Sequence, residues 1–351
     1  SSDLLARELT RQGFDITVVT TDVSAPSGCE TRPDGVRVVR LPSFSLVGGR
    51  LPVARRNAAF KRLWRDVESQ RYDGVLVNTR FYLHSLLGLR LAKRQGLTAV
   101  LVEHGSAYLT FGSAALDKAV VAYEHLITAR VKRYRPDFYA VSSKGLSWLS
   151  TFGIQGKGVL SNAIDADAFR VSSSGRSFRA EFRVPSDVLL VSFVGRFIPE
   201  KGVDALLEAM RLLDARGVSV MLVMAGTGPL EDRIREADLG NIALAGRLDA
   251  SDVAALMEES DLFCLPTRSE GFSTSLLEAA ACATPAAITD VGGVAEMIPD
   301  RRYGIVLADA RPETIADAIE GAARDREGLR EQGALCAERV RARYSWECKI
   351  G

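Results

Sequence analysis

Apolar residues along the chain follow two spacings, one typical of buried strands and the other of amphipathic helices. Short apolar or β-branched runs, such as Leu189–Val194 and Leu262–Leu265, predict buried strands. Stretches with helical spacing, such as 83–94, lie between these runs. This alternation predicts parallel sheets covered by helices. The predicted strands are Asp15–Thr20, Val36–Leu41, Gly74–Asn78, Ala99–Val102, Phe138–Val141 and Val159–Asn162, then Leu189–Val194, Val218–Ala225, Ile242–Leu244, Asp261–Leu265, Ala286–Thr289 and Gly304–Val306.

The predicted strands fall into two series, and the stretch at 166–187, which contains a Ser-Ser-Ser-Gly run, separates them. At 351 residues the chain is long enough for two domains that each bury a core. We therefore predict an α/β protein with two doubly wound, Rossmann-like domains facing each other across a cleft. Because the helix at 4–9 leads into the first strand, we also expect a strand and a loop ahead of it. The predicted helices lie at 4–9, 53–70, 83–94, 114–133, 202–216, 229–237, 250–259, 275–282, 294–298 and 312–324, and one begins at Ser142.

Composition and cysteine usage narrow the class of protein. The chain is 47% hydrophobic and 25% charged, and no apolar run approaches the roughly 20 residues of a membrane span. Its five cysteines are scattered without metal-binding spacing. We therefore expect reduced thiols, no bound metal and a cytoplasmic location.

The two halves of the chain differ in charge. Residues 1–165 contain 23 Lys and Arg residues against 14 Asp and Glu residues, whereas the remainder contains 22 against 30. Several basic residues accompany the apolar residues of the predicted helix at 53–70, namely Arg55, Arg56, Lys61 and Arg62. This pattern is typical either of a solvated helix face or of a surface that meets an anionic membrane or an acidic acceptor.

The stretch Glu270–Glu278 lies between a predicted strand and a predicted helix, and it has a carboxylate at each end. A helix N-terminus carries unpaired N–H groups and a partial positive charge, which favour a bound phosphate. Ser275 and Glu278 also have the spacing of a capping box, in which Glu278 would only bind the backbone of the cap. Glu270 has no comparable structural explanation.

Arg196 and Lys201 lie in the loop Gly195–Gly202, which follows the first strand of the second series. Open α/β sheets bind ligands at such strand ends, and a guanidinium together with an ammonium group would neutralise a diphosphate without a metal. Two solvated loop cations are the alternative. Gly226, in a Gly-Thr-Gly turn after the next strand, either lets a ligand approach the backbone or simply forms a tight turn.

His104 ends a predicted strand of the first series, at the edge expected to face the cleft. Its imidazole either binds a substrate hydroxyl or is a structural histidine. Tyr108 and Phe111 lie in the following loop and, together with the basic helix, favour a glycan or lipid-linked acceptor at a membrane surface. His84 and His125 fall within predicted helices, and we interpret both as structural.

The order of these motifs resembles that of the retaining glycosyltransferases of family 4, which have the GT-B fold. The resemblance rests on Glu103-His104-Gly105, the Ser161–Asp165 junction, the Gly195–Gly202 loop and, above all, the two carboxylates of Glu270–Glu278. It implies that Arg196 and Lys201 hold the diphosphate of a sugar-nucleotide donor. It also implies that Glu270 contacts the donor sugar, Glu278 the ribose and His104 the reacting sugar. The expected donor-binding residues are Gly195, Arg196, Lys201, Gly226, Gly271, Phe272, Ser273, Thr274 and Glu278, and the expected catalytic residues are His104, Arg196, Lys201 and Glu270.

The resemblance further implies an acceptor-side domain at 1–165, a donor domain at 166–343 and the start of a helix returning to the first domain at 344–351. The implied reaction transfers a hexosyl unit from a nucleotide diphosphate sugar to a glycan or lipid-linked acceptor, with retention and without metal or cofactor. Because no second carboxylate is placed as a nucleophile, we expect front-face substitution, in which the leaving diphosphate helps deprotonate the acceptor. The Gly-rich loop that family members have after their first strand is not found in this sequence.

Three other functions stay open from the sequence. A dinucleotide-dependent oxidoreductase needs a GxGxxG turn, which this sequence lacks. A non-catalytic sugar-nucleotide or lipid-binding protein would share the fold without transferring a sugar, and a sugar-nucleotide epimerase would form its product without an acceptor. The expected partners are the donor, the acceptor and the anionic inner face of a membrane, whereas nucleic acid is not expected.

Overall fold

The computed structural model describes residues 2–21, 26–46, 51–108, 114–346 and 348. The chain divides into two compact units, Ser1–Leu160 and Ser161–Gly351, which we name the N-terminal and C-terminal units. The division falls slightly ahead of the boundary expected after residue 165. In each unit, parallel strands alternate with helices, as the hydrophobic pattern predicts.

Two sheets and a hairpin form the N-terminal unit. Its helices are α1 (Ser2–Arg11), α2 (Ala58–Ser69), α3 (Ser85–Arg94), α4 (Ala114–Lys132) and α5 (Ser143–Ser150). Its strands are β1 (Thr17–Thr20), β2 (Gly28–Thr31), β3 (Arg37–Arg40), β4 (Ser43–Leu46), β5 (Leu51–Ala54), β6 (Leu76–Asn78), β7 (Val100–Glu103), β8 (Asp137–Ala140) and β9 (Gly158–Val159). The strand orders are β1–β3–β2, in which β2 is antiparallel to β3, and β6–β7–β8–β9, which is parallel throughout.

An apolar face explains why α2 packs on the sheets. Asn57 caps the helix, because its Oδ1 accepts a hydrogen bond from the Phe60 N–H at 2.9 Å. Phe60, Leu63 and Val67 recur at helical spacing and are buried together with residues of α3 and β3. Burying each such side chain contributes about 1.5–3 kcal/mol to the free energy of unfolding.

Between the predicted strand Val36–Leu41 and the predicted helix at 53–70, where the sequence pattern predicts no regular element, the structure contains the antiparallel hairpin β4–β5. The predicted helix at 53–70 correspondingly begins later, at Ala58. Pro52 gives the physical reason, because proline removes a backbone donor and holds the preceding residue in an extended conformation. Residues 47–50 lie outside the described ranges.

A six-stranded parallel sheet forms the centre of the C-terminal unit. Its strands are β10 (Leu189–Val194), β11 (Val220–Ala225), β12 (Ile242–Gly246), β13 (Leu262–Leu265), β14 (Ala286–Thr289) and β15 (Ile305–Leu307). Its helices are α6 (Ala166–Val171), α7 (Phe178–Glu181), α8 (Val203–Ala215), α9 (Glu231–Glu236), α10 (Ala250–Glu259), α11 (Thr274–Ala281), α12 (Val294–Met297), α13 (Pro312–Arg324) and α14 (Arg326–Arg343). The inner strands β10, β13 and β14 are mostly apolar and buried along almost their whole length, because helices cover both faces of such a sheet.

The strand order of this sheet reverses between β10 and β13. The order is β12–β11–β10–β13–β14–β15, so the chain moves outward in one direction from β10 and in the other from β13. Open α/β sheets bind ligands at the carboxyl ends of the strands at such a switch point. The topology therefore indicates that a ligand would bind at the two loops that follow β10 and β13, at 195–202 and 266–273.

Three helices lie where the sequence pattern predicts none. The stretch interpreted as a domain boundary contains α6 and α7, and Phe178 of α7 is fully buried in the core of the C-terminal unit. Its serines act partly as caps, since Ser177 Oγ accepts a hydrogen bond from the Ala180 N–H at 3.2 Å. The third helix, α14, has few apolar residues, so the hydrophobic pattern does not predict it. Tyr344 ends α14. Of the segment 344–351, in which a helix is predicted to start, residues 347 and 349–351 lie outside the described ranges.

Two further features bear on the class of protein. Within the described ranges, no helix is both long and apolar enough to cross a membrane. All five cysteines are free thiols. Burial raises the pKa of Cys264, Cys282 and Cys336 to about 12, so these three thiols stay protonated near neutral pH.

Candidate active site

Hydrogen bonds hold the two switch-point loops together. Thr267 is fully buried and donates from Oγ1 to the Glu200 carbonyl at 3.1 Å, and the Arg268 N–H donates to the same carbonyl at 2.8 Å. Gly202 has a φ of 75°, and a Cβ at this position would lie 2.2 Å from the Pro266 carbonyl oxygen. Glycine is required for this close approach. The two loops thus form one platform, which we name the switch-point platform.

Lys201 and Glu270 meet on the switch-point platform. Lys201 Nζ forms an ion pair with Glu270 Oε1, and the two side chains are only 16% and 18% exposed. The cost of desolvating both charges offsets much of their attraction. The ion pair can therefore be replaced by other partners. A phosphate near Lys201 would compete directly with the Glu270 carboxylate.

Arg196 is exposed, in contrast to Lys201. Among the described residues, no carboxylate lies within ion-pair distance of its guanidinium. The backbone on both sides is fixed, since the Gly195 N–H donates to the Ala225 carbonyl at 3.0 Å and the Phe197 N–H to the Thr227 carbonyl at 2.9 Å. Arg196 thus presents a solvated cation from a fixed point at the end of β10.

Ser273 caps α11, the helix at the end of the platform. Its Oγ accepts a hydrogen bond from the Leu276 N–H at 3.2 Å, and the helix begins at Thr274. The capping box between Ser275 and Glu278 is wrong, because Ser275 Oγ instead donates to the Val194 carbonyl at 3.2 Å. The N–H groups of Thr274 and Ser275 bind no acceptor within the described part of the chain. They give this helix end its positive potential.

Glu278 lies one turn further along α11 and is half-buried. Burial raises the pKa of its carboxyl group, because a charged carboxylate loses solvation there. Its carboxylate makes no hydrogen bond or ion pair with other residues that the structure describes. Such a group is a natural acceptor for ligand hydroxyls.

Gly271–Ser273, at the centre of the predicted donor site, is fixed from three directions. Asn162 donates from Nδ2 to the Phe272 carbonyl at 2.9 Å, and the Phe272 and Tyr344 ring centroids are 5.5 Å apart. Gly292 has a φ of 53°, and a Cβ there would lie 2.3 Å from the Gly271 carbonyl oxygen. Asn162 thus supports the backbone of this segment.

The backbone packing around Gly226 requires a glycine at this position, whether or not a ligand binds there. A Cβ at this position, where φ is 142°, would lie 1.9 Å from the Gly195 carbonyl oxygen. Only glycine allows the turn after β11 to pack this closely against the loop after β10. Contact between Gly226 and the donor stays a prediction.

His104 follows β7 at the carboxyl edge of the N-terminal unit. Its Nε2 lies 2.9 Å from Asn78 Oδ1, at the end of β6. With Asn78 Oδ1 as the acceptor, Nε2 carries the proton and Nδ1 keeps its lone pair. Burial lowers the pKa of His104 to about 4, so the ring is neutral at neutral pH. A neutral imidazole in this tautomer can accept a hydrogen bond from a hydroxyl at Nδ1.

A buried ion cluster supports the same edge, and sequence reasoning missed it. Arg80 is fully buried, with Nη2 2.9 Å from Glu124 Oε2 and Nε 3.5 Å from Glu103 Oε2. Its guanidinium lies 3.7 Å from the Phe152 ring centroid. Glu103 Oε1 also accepts a hydrogen bond from the Gly105 N–H at 2.9 Å, and burial raises the pKa of this carboxyl group. Arg80 follows β6 in the short polar stretch Asn78-Thr79-Arg80. Such a stretch is typical of a solvated loop, so the sequence does not indicate that Arg80 is buried.

The aromatic residues predicted to contact an acceptor have different outcomes. The Tyr108 hydroxyl forms a hydrogen bond with His125 Nε2 at 2.8 Å, and its ring packs edge-on against Trp148, with the ring centroids 4.6 Å apart. Tyr108 thus contacts residues of its own unit through both its hydroxyl and its ring. Its contact with an acceptor stays a prediction. Phe111 lies outside the described residues.

Comparison with known proteins places the chain in a family. Residues 176–337 match the family described as "Glycosyl transferases group 1", and residues 3–154 match the "Glycosyl transferase 4-like domain". The chain belongs to the family-4 type of GT-B glycosyltransferases. The resemblance predicted from the motifs, and the two-domain α/β fold, are thereby confirmed.

Relatives of this glycosyltransferase include enzymes of known substrate. It is 27% identical, over 80% of this chain and 72% of the relative, to the GDP-mannose-dependent alpha-(1-6)-phosphatidylinositol dimannoside mannosyltransferase of Mycobacterium tuberculosis. Sucrose-phosphate synthase from Thermosynechococcus elongatus shares the fold, with a TM-score of 0.75 at 20% identity over 99% of this chain and 89% of the synthase. HepE from Anabaena, solved in complex with UDP-glucose, has a TM-score of 0.65 at 16% identity over 82% of this chain and 80% of HepE.

Proposed function

We propose that this glycosyltransferase transfers a hexosyl unit from a nucleotide diphosphate sugar to a glycan or lipid-linked acceptor, with retention and without a metal. The observation that carries the proposal is the meeting of Lys201, Glu270 and the α11 N-terminus at the switch point, next to the exposed Arg196. The UDP-glucose complex of HepE and the name of the mycobacterial mannosyltransferase support a sugar-nucleotide donor and a lipid-linked acceptor.

Donor binding would exchange the partner of Lys201. The diphosphate would take Lys201 from Glu270, and Arg196 and the N–H groups of Thr274 and Ser275 would stabilise the remaining charge. Glu270, released from the ion pair, would accept hydrogen bonds from hydroxyls of the donor sugar. Glu278 would do the same for the ribose hydroxyls, because its carboxylate lies one turn along the same helix.

Transfer would then proceed on one face of the sugar. The bond from the anomeric carbon to the diphosphate oxygen breaks while the acceptor oxygen bonds to the same carbon, and the acceptor proton passes to the leaving diphosphate. Arg196, Lys201 and the N-terminal end of α11 would stabilise the negative charge that develops on the leaving diphosphate. We propose that the neutral His104 hydrogen-bonds a hydroxyl of the transferred sugar.

Substitution of the platform charges tests the proposal. We expect Lys201→Ala and Arg196→Ala each to lower turnover at least about 100-fold, because losing one such donor costs about 3 kcal/mol of transition-state stabilisation. We expect a loss of similar size for Glu270→Ala, which removes the acceptor for the sugar hydroxyls. The measurement is nucleotide diphosphate release from labelled donor in the presence of acceptor. Arg211→Ala, which removes an exposed ion pair on α8, is the control and should keep normal turnover. Near-normal turnover of a folded Lys201→Ala protein would contradict the proposal.

Exchanging the two charges of the Lys201–Glu270 pair distinguishes a catalytic role of the pair from a purely structural one. The double variant Lys201→Glu, Glu270→Lys keeps an ion pair on the platform, so we expect near-normal thermal stability but at least about 100-fold lower turnover. If the exchange restores turnover, the pair is only structural. A thermal-shift panel of nucleotides and nucleotide sugars identifies the donor, since a bound donor raises stability by mass action. Donor conversion without acceptor would support an epimerase, and donor binding without release a binding protein.

We also propose that the exposed face of α2 meets an anionic membrane. Arg56, Lys61, Arg62 and Arg65 are all exposed, and none forms an ion pair with another described residue. At 100° per residue, the last three lie on the side of α2 opposite its buried face. The two acidic residues of the helix, Asp66 and Glu68, are paired instead with arginines of other elements, Arg37 and Arg94. The cationic face is therefore not neutralised within the unit.

Vesicle sedimentation tests this membrane proposal. We expect binding to vesicles that contain phosphatidylserine at low salt, a loss of binding at high salt, and a reduction of at least about tenfold in a Lys61→Gln, Arg62→Gln, Arg65→Gln variant. An equal number of substitutions at Arg211, Arg235 and Arg324 of the C-terminal unit controls for net charge. Equal loss in both variants would show a general charge effect and contradict a specific α2 surface.

A further inference from the structure

Phe272 lies in the loop between Glu270 and α11, two parts of the proposed donor site. Glu270 comes two residues before it, and Ser273, the cap of α11, directly follows it. The Phe272 side chain is buried, although the backbone around it forms neither helix nor strand. Any shift of the Phe272 ring would therefore move the groups that we propose bind the donor.

Tyr344 packs its ring against the ring of Phe272. The two ring centroids are 5.5 Å apart and the ring planes are inclined by 44°, within the range that aromatic pairs favour. Both residues are only 6% exposed, so the contact lies in the interior of the C-terminal unit. Because Phe272 precedes α11 and Tyr344 follows α14, the pair joins distant parts of the chain.

The backbone at Gly293 also contacts the Phe272 ring. A Cβ at Gly293 would lie 2.1 Å from Phe272 Cδ2 and 2.4 Å from Cε2. Gly293 has a φ of −87°, which any residue can adopt, so glycine is needed here for space and not for backbone conformation. The Phe272 ring therefore fills a slot formed by Tyr344 and the Gly293 backbone, which we name the Phe272 slot.

Hydrogen bonds fix Tyr344 on the side away from its ring contact as well. Its hydroxyl donates to the Glu296 carbonyl at 2.9 Å, and its carbonyl accepts a hydrogen bond from the Ile164 N–H at 2.8 Å. Burial raises the pKa of Tyr344, so its hydroxyl keeps the donated proton near neutral pH. Tyr344 is thus a fixed surface against which the Phe272 ring packs.

The two walls of the Phe272 slot are joined to each other. Gly293 directly precedes α12, and the Tyr344 hydroxyl is bonded to Glu296 of that helix. Arg339 Nη2 donates to the same carbonyl at 2.7 Å, so this carbonyl stays bonded if the Tyr344 hydroxyl alone is removed. The space left for the Phe272 ring consequently depends on the ring of Tyr344 more than on its hydroxyl.

We infer that Tyr344 is a positioning residue for the donor, because it holds the Phe272 ring in its slot and thereby keeps Glu270 and the α11 N-terminus where they bind the donor. This inference rests on the proposed donor site. It goes further by assigning a role in donor binding to a residue outside the motifs that carry the charges of that site.

Titration calorimetry with UDP, GDP, ADP, CDP and TDP tests the inference, using the nucleotide that the unmodified protein binds most tightly. We expect Tyr344→Leu to raise its Kd at least about tenfold, because the donor-binding groups lose their fixed position. Tyr344→Phe keeps the ring, so its Kd should stay within about threefold of the unmodified value. If Tyr344→Leu does not fold, Tyr344→Met replaces it, since methionine fills irregular apolar space.

A core substitution elsewhere in the C-terminal unit controls for lost stability. Phe178 is fully buried and packs with Leu190 and Val223, away from the Phe272 slot. We expect Phe178→Leu to lower Tm by several degrees but to leave the Kd within about threefold. Equal weakening of nucleotide binding by Tyr344→Leu and Phe178→Leu would show a general effect of stability and overturn the inference. So would a Tyr344→Phe variant that binds as weakly as Tyr344→Leu.

The other wall of the slot gives an independent test. Gly293→Ala places a methyl group where the Phe272 ring lies, so we expect a Kd at least about tenfold higher. Gly321→Ala is the matched control, because a Cβ at Gly321 meets no atom within 4 Å. Normal binding by Gly293→Ala would contradict a fixed slot.

Lys201→Ala separates this inference from the proposed function on which it rests. If Lys201→Ala weakens nucleotide binding and Tyr344→Leu does not, the inference fails and the proposed donor site stands. If no nucleotide binds, or if neither variant weakens binding, the proposed donor site fails and the inference fails with it.

Discussion

The two units place charge at the carboxyl edges of their sheets in different ways. In the C-terminal unit, Lys201 and Glu270 form a partly exposed pair on loops held by backbone hydrogen bonds and close glycine contacts. In the N-terminal unit, Arg80 and its two carboxylate partners are fully buried beneath the strand ends. The first arrangement leaves its charges available to a ligand, whereas the second uses them to hold the backbone in place.

This difference predicts where substitutions act. Charges that a ligand can reach should affect turnover more than stability, because solvent compensates for their loss. Buried charges should affect stability first, because a remaining partner has neither solvent nor counter-charge. Each prediction below tests one side of this contrast.

The largest expected effect is on the buried cluster. Arg80→Leu leaves the carboxylates of Glu103 and Glu124 without their cation, so we expect a loss of about 3–5 kcal/mol in the free energy of unfolding. Chemical denaturation, with fluorescence of the three tryptophans, measures it. Arg56→Leu, an exposed arginine of the same unit, should change stability by less than about 0.5 kcal/mol.

A triple variant sharpens this test. Arg80→Leu with Glu103→Gln and Glu124→Leu removes the charges together, and we expect it to recover most of the lost stability, as apolar replacement of buried ion groups often does. If Arg80→Leu alone is as stable as the unmodified protein, the cluster does not hold the edge of the N-terminal unit.

The next effect is a loss of stability on mild acidification, which we expect to act first on the N-terminal unit. Burial lowers the pKa of both His84 and His104 to about 4, below the ordinary value of 6.5. As the pH falls from about 6.5 toward 4, the unfolded chain binds protons that the folded one does not. Stability is therefore full above about pH 6.5 and lost on acidification, by roughly 3 kcal/mol at most for each histidine.

Amide exchange at pH 7 and pH 5 locates this effect. All three histidines lie in the N-terminal unit, so acid should open its amides first. The raised pKa values of Glu103 and Glu278 act in the opposite direction, because protonation of these carboxyls favours the folded state. A His84→Gln, His104→Asn variant should lose most of the acid-induced opening. Unchanged acid sensitivity in this variant would assign the effect to other groups.

The smallest effect compares two helix caps. Ser273 caps α11 and Ser142 caps α5, each accepting one backbone hydrogen bond, at 3.2 and 3.1 Å. Ser273→Ala and Ser142→Ala should each cost about 1 kcal/mol in the free energy of unfolding. Only Ser273→Ala should also weaken nucleotide binding, which titration calorimetry measures. Equal binding by both variants would show that the α11 end does not contact the donor.

Much of the candidate site was predictable because its elements are local in sequence. Glu270 and Glu278 lie between a strand and a helix, and Arg196 and Lys201 lie in one short loop. The cap of α11 was assigned to the wrong serine, since Ser273 and Ser275 both suit a helix start and only the contact of Ser275 with Val194 separates them. The support from Asn162 was not predictable either, because it joins residues far apart in the chain.

The sequence by itself determined the two series of strands and helices, the motif order of a GT-B glycosyltransferase and the loops that carry its charges. These follow from local hydrophobic spacing and from residue types at strand ends, which need no knowledge of distant contacts. Only the tertiary structure decided that Lys201 pairs with Glu270, that Arg80 is buried between two carboxylates and that the Phe272 ring packs against Tyr344. Pairing, burial and ring packing depend on which distant segments meet, and chain folding alone brings those segments together.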